Sequence, residues 1–197
     1  MANENIGKYW NYIPWGILPP SSKVDLCQFI ARIKPAVRTC IKSINNIPIF
    51  QKHILELGWH AVYDKSGFTV ISRNPELSNT IMQVDQSTLP HAIHLGNLLG
   101  YPECCSAYVE QQGEDRIDQA AESFKRSNLR GSFSLLDISK YHEGIALISH
   151  MPCSFTCQHS LNGALLTLKF IKKHEKINNF GEWASSIINY YSQDRII

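Results

Sequence analysis

The sequence predicts an α+β fold, a small mixed or antiparallel sheet covered by helices, in one domain with an N-terminal helical arm. Three observations carry that expectation. Apolar residues recur at helical spacing over most of the chain. Two short β-branched and aromatic runs, HAVY and FTVIS, bracket the turn DKSG at residues 64–67. At 197 residues, with 44% hydrophobic and 18% charged residues, the chain can bury a core without disulfides.

In chain order, the first twenty residues mix aromatics with Pro14, Pro19 and Pro20 and read as an irregular arm packed on the body. Ser21 and Ser22 then cap a helix through Cys27, Phe29, Ile30 and Ile33, kinked at Pro35 and continuing to Ile44. These segments form an N-terminal unit, residues 1–47, ahead of a cysteine-motif domain at 48–197. A second helix follows Pro48, with Ile49, Phe50, Ile54 and Leu57 on one face and Gly58 as its stop. The two strands of 59–73 come next, with a further strand expected at 80–84. Thr88 and Pro90 start a helix to Gly100, and Pro102 opens another that carries Cys104 and Cys105. Residues 114–130 read as an exposed charged helix, and 131–136 and 144–149 as strands. A long helix is expected from Cys153 to about Glu175, and a last one from Gly181 to Ser192.

The charge balance excludes some functions. Nineteen basic and seventeen acidic residues leave a net charge of +2. The densest basic patch, Lys169, Lys172, Lys173 and Lys176, is too short for the footprint of a nucleic-acid binder. A small acidic substrate stays open. The N-terminus MANENIGKYW has no charged leader before an apolar core, and no apolar run reaches membrane-spanning length. A cytoplasmic protein is expected, in which six cysteines are thiols and not disulfides.

Four of those cysteines fall in two similar motifs. LGYPECC, residues 99–105, and HMPCSFTC, residues 150–157, each place a proline and then cysteine where a helix begins. The opening turn of a helix presents free N–H groups and a positive dipole end, which favour thiolates. Two such starts facing one another supply Cys104, Cys105, Cys153 and Cys157 to one metal site. Cys153 and Cys157, four apart, are expected on one face of the long helix. Adjacent cysteines point in different directions, which favours an iron–sulfur cluster or iron over zinc, the alternative.

His91 and His150 are the candidate proton carriers of the site, with His94, His159, Glu103 and Asp137 behind them. Cys27 and Cys40 are read as packing residues. No phosphate-loop lysine, G-x-G-x-x-G, G-x-S-x-G or H-E-x-x-H is present.

Both motifs together, LGYPECC and HMPCSFTCQHS, resemble those of an uncharacterised prokaryotic domain-of-unknown-function family with the patterns LGYPxCC and HxPCxxxCxxS. The resemblance covers roughly residues 88–170. It implies that Cys104, Cys105, His150, Cys153, Cys157 and Ser160 share one site, with Ser160 on the cofactor side.

Three functions are compatible with this reading. The first is a metal- or iron–sulfur-dependent enzyme doing redox or sulfur-transfer chemistry on a small molecule. The second is a zinc-stabilised module that binds a protein partner or a second copy of itself, with the aromatic arm (Tyr9, Trp10, Tyr12, Trp15) as its exposed apolar surface. The third is a thiol–disulfide redox protein. No membrane partner is expected.

Overall fold

A computed structural model describes residues 6–192; the first five residues, on which the reading of the N-terminus partly rests, lie outside them. The architecture is α+β. Strands β1 (Ala36–Cys40), β2 (His60–Tyr63) and β3 (Phe68–Ser72) form an antiparallel sheet of order β1-β3-β2. β3 is central, with Val37 opposite Ile71 on one side and Ala61 opposite it on the other. The β2–β3 hairpin turns as the sequence predicts, because the Asp64 carboxylate accepts from the backbone N–H groups of Ser66 and Phe68.

Successive residues of a strand face opposite ways, so the sheet separates two apolar layers. Val37 and Ile71 join the main core, which gathers residues from Ile6 to Tyr191. Ala36 and Val70 join a smaller layer with Ile81, Met82, Leu95 and Leu99. Helix α4 (Pro75–Asp85) and helix α5 (Ala92–Leu99) cover that second face.

The N-terminal stretch differs from expectation. It begins with helix α1 (Ile6–Tyr12), and Trp10 is 1% exposed, stacked on Trp183 and edge-on to Phe180. Of the aromatic arm, Trp10 is core, Tyr9 and Trp15 pack half-buried against it, and Tyr12 stays exposed. Helix α2 (Ser22–Ile30) stops before Pro35 instead of kinking through it. Arg32 takes a positive φ of 59°, and residues 36–40 become β1, where Val37 and Thr39 suit a pleated surface. A strand of the sheet among the described residues therefore comes from residues before 48.

Helix α3 (Ile47–Glu56) forms as expected and Gly58 follows it. Residues 80–84 lie inside α4, not in a strand; Asn74 caps that helix by accepting from the Glu76 N–H, and Pro75 opens it. Residues 131–136 form a 3₁₀ segment and 144–149 an irregular one, not strands. Asp137 holds this region by accepting from Ser139, Tyr190 and the Arg126 N–H, away from the four cysteines gathered elsewhere. Of the exposed helix expected at 114–130, only helix α7 (Ile117–Ser123), flanked by 3₁₀ turns, is present.

Helix α6 (Glu103–Gln112), helix α8 (Gln158–His174) and helix α9 (Phe180–Ser192) complete the described fold. No helix among the described residues is long and apolar enough to cross a membrane.

Candidate metal centre

The centre is built where two chain segments meet. α5 and α6 pack against each other across a turn at Gly100, which ends α5 in the left-handed conformation at φ 78°. Gly96 permits the close approach: a Cβ there would stand 1.9 Å from the Ser106 hydroxyl oxygen on α6. Pro102 caps α6, and the first turn that follows carries Cys104 and Cys105.

The second segment differs from the sequence reading. α8 begins at Gln158, not at Cys153. Cys157 is the residue that caps α8, and Cys153 lies in the preceding loop, closed by the Cys157 N–H donating to the Ser154 carbonyl at 3.2 Å. The two cysteines therefore do not share a helix face. They reach one point because the loop folds back across the helix start.

All four sulfurs lie within 4.8 Å of one another. Cys105 and Cys157 are 3.6 Å apart, and Cys104 is 3.9 Å from each of them. All are free thiols. Cys105 and Cys157 are buried, Cys153 is half-buried and Cys104 faces solvent. The adjacent pair Cys104–Cys105, expected to diverge, converges on one point in the tight first turn of α6.

Ser160 ties the cluster to His150. Its hydroxyl lies 3.3 Å from both Cys105 Sγ and Cys157 Sγ, and 2.8 Å from His150 Nε2. Burial works against ionising Cys157, but the hydroxyl and N–H of Ser160, with the thiols of Cys105 and Cys153, bring it down to about 7. Burial pushes the Cys105 thiol well up, and burial with thiol neighbours takes Cys153 to about 11. Four thiols this close cannot all ionise without a cation among them. Burial, then the charge of Lys34, holds the His150 imidazole neutral, at about 3.

His91 does not join the group. It precedes α5, with Nδ1 at 2.7 Å from the Leu89 carbonyl and Nε2 at 3.6 Å from Glu114. His94, His159 and Glu103 are exposed on the surface. Cys27 is fully buried in α2, as a packing residue would be, whereas Cys40 is exposed on β1.

Sequence reasoning missed the polar assembly on the other side of His150. Lys34, 3% exposed, donates to Asp25, to Ser149 at 2.9 Å and to Tyr101 at 3.3 Å, and lies over the Tyr101 ring. Tyr141 donates to the second Asp25 oxygen, and Ser149 to Gln28. Burial disfavours the Lys34 ammonium, but Asp25 and Tyr101 outweigh it and hold its pKa above the ordinary lysine value. No local pattern announces this network, because its bonded partners lie up to 121 positions apart.

Residues 29–183 match the model of a family described as "Protein of unknown function (DUF483)". That span reaches further towards the N-terminus than the motifs alone suggest, taking in the sheet and Lys34. No curated protein and no solved structure matches the chain.

Proposed function

The chain belongs to the DUF483 family, and from its own geometry we propose that it is a zinc-dependent protein in which one ion, held by Cys104, Cys105, Cys153 and Cys157, fastens the start of α6 to the loop before α8. The sulfur separations carry this reading. A tetrahedral ion with Zn–S bonds of about 2.3 Å sets its sulfurs about 3.8 Å apart, and the cluster spans 3.6–3.9 Å for three pairs. An iron–sulfur cluster spreads its thiolates over separate irons and holds some pairs further apart. The distances thus favour a single ion over the cluster expected from the adjacent cysteines.

Four thiolates complete a tetrahedral shell and leave no open position, which supports a structural ion over redox or sulfur-transfer chemistry at the metal. The helix starts of α6 and α8, together with Ser160, offset the negative charge that four thiolates bring to a divalent ion. The ion ties residues some fifty positions apart and so contributes folding free energy directly.

Elemental analysis of protein purified without oxygen tests this. About one zinc per chain is expected, with cobalt substitution giving the visible bands of a tetrahedral tetrathiolate. Iron accompanied by acid-labile sulfide would restore the cluster. One iron per chain without sulfide would keep the geometry and change the ion. Zinc loading at neutral pH should also release about three protons, since the free thiols are mostly protonated, and calorimetry in buffers of different ionisation enthalpy counts them.

One observation favours a second reading, thiol–disulfide exchange: Cys157 is the thiol most readily ionised, 3.6 Å from Cys105 Sγ. Metal-free protein with a titratable Cys105–Cys157 disulfide would establish it.

A further inference from the structure

A cavity of about 690 Å³ opens beside the thiol cluster, between β1, α5, α6 and α7. Its size suits a small organic molecule. The walls are apolar: Leu95 and Leu99 of α5, Val109 of α6 and Ile138. Tyr101, Tyr141, Ser149 and His150 form the polar end, where the Lys34 network backs the wall.

The hydrogen bonds at that end leave a specific remainder. Ser149 is used twice, accepting from Lys34 and donating to Gln28. Tyr101 accepts from Lys34, so its own O–H is left to donate. Tyr141 spends its proton on Asp25, and its oxygen is already engaged by the Ser21 hydroxyl. Ser160 takes His150 Nε2, leaving Nδ1 as the ring nitrogen a ligand can use. The network behind them is fixed in place by a buried ion pair whose charges cancel, so the polar end presents matched donors and acceptors without net charge.

Charge at the opening points the same way. Glu114, Asp118 and Glu122 stand there, 43%, 89% and 60% exposed in their side chains. Of the basic side chains lining the cavity, Arg38 is bonded to Asp85 at 2.7 Å and His142 lies 3.7 Å from Asp118. The lining thus sets three carboxylates against one guanidinium already paired with Asp85, which disfavours an anionic ligand.

We propose that this cavity binds an uncharged, largely apolar ring compound carrying a neutral donor–acceptor head, such as an amide or lactam, with the head against Tyr101 and His150. The apolar walls take the ring system, and the unspent Tyr101 O–H and His150 Nδ1 at the end orient the head. A ligand lacking them leaves buried polar groups unpaired, which discriminates more strongly than a missing methylene. The proposal does not depend on which metal the cysteines hold.

The test uses the intact metal-loaded chain and N-phenyl-1-naphthylamine, a neutral dye that fluoresces in apolar surroundings. Saturable binding at one site per chain is expected. Displacement by 2-quinolone, a neutral lactam, should occur at roughly tenfold lower concentration than by quinoline-2-carboxylate, its anionic counterpart. Val109→Trp and Ala121→Trp fill the cavity from two different helices, and each should weaken dye binding roughly tenfold or more while zinc content and circular dichroism stay unchanged. If one variant misfolds, the other decides. Dye binding unaffected by a folded cavity-filling variant would place the dye on the outer surface and overturn the site. Equal or tighter binding of the carboxylate would overturn the ligand class, and a loss of zinc with dye binding intact would count against the metal centre alone.

Discussion

The thiol cluster and the Lys34–Asp25 network lie on either side of His150 and are assembled from the chain in opposite ways. The cluster needs two short motifs, each complete within eight residues, and one long-range approach. The network draws Asp25, Gln28, Lys34, Tyr101, Tyr141 and Ser149 from three separate stretches, with no two of them adjacent. Their chemistry contrasts as well. The thiols repel one another as they ionise and call for a cation from outside. The network already holds its own pair of opposite charges and needs no ion to balance them, since Lys34 places its ammonium on three acceptors. A site that lacks a charge recruits a ligand, whereas one that balances its own shapes the wall of a cavity.

That contrast is open to direct disruption, beginning with the largest effect. Chelating the metal, or replacing Cys157 with Ser, should lower stability by several kcal/mol, moving the melting temperature down by about 10 °C or more, and should abolish stoichiometric zinc. A metal-free chain that melts where the loaded one does would remove the structural role of the ion. Lys34→Met should come next. It strands the Asp25 carboxylate in the core and costs about 3–5 kcal/mol in denaturant unfolding, with zinc content unchanged. Adding Asp25→Leu should recover much of that loss, because an apolar pair of similar volume avoids burying a lone charge. If Lys34→Met releases the metal, the two assemblies are one cooperative unit and the contrast fails.

Smaller effects sharpen the picture. Gly96→Ala puts a methyl group into the Ser106 hydroxyl and should cost about 1–3 kcal/mol by prising α6 from α5. Zinc affinity should fall with it, since α6 carries two ligands. Ser160→Ala should cost only about 1 kcal/mol in stability, while weakening zinc binding by roughly tenfold through loss of its contact with both Cys105 and Cys157. Competition with a zinc-sensitive dye separates those two readouts. A Ser160→Ala protein with unchanged affinity would make the serine a packing residue.

Much of the fold could be read from local pattern. The β2–β3 hairpin, α3 with Gly58, the α5–α6 corner at Gly100 and the closing helix α9 all carry their own turn or cap residues, and all form where those residues indicate. The misreadings share a cause. Residues 36–40 and 80–84 are apolar, β-branched runs too short for periodicity to separate strand from helix. Pairing with β3 decided the first, and the Asn74 cap with Pro75 decided the second. Residues 144–149 form a continuous apolar run, as a buried strand would, but pair with no strand and instead pass buried beneath α2 and α8, where Gln28 bonds to the Leu147 carbonyl and to Thr167.

What the sequence determined alone is therefore the local chemistry: which cysteines stand at helix starts, which turns reverse the chain, and that a core large enough to hold them exists. Only the tertiary structure decided that Cys153 reaches the site from a loop, that the four sulfurs gather within 4.8 Å of one another, that His91 stands apart, and that Lys34 finds Asp25 and Tyr101. Spacing along a chain constrains neighbours within a turn or two of helix. Distances between segments are set by how whole elements pack, and the packing of α5, α6 and α8 around the sheet is a property of the entire core.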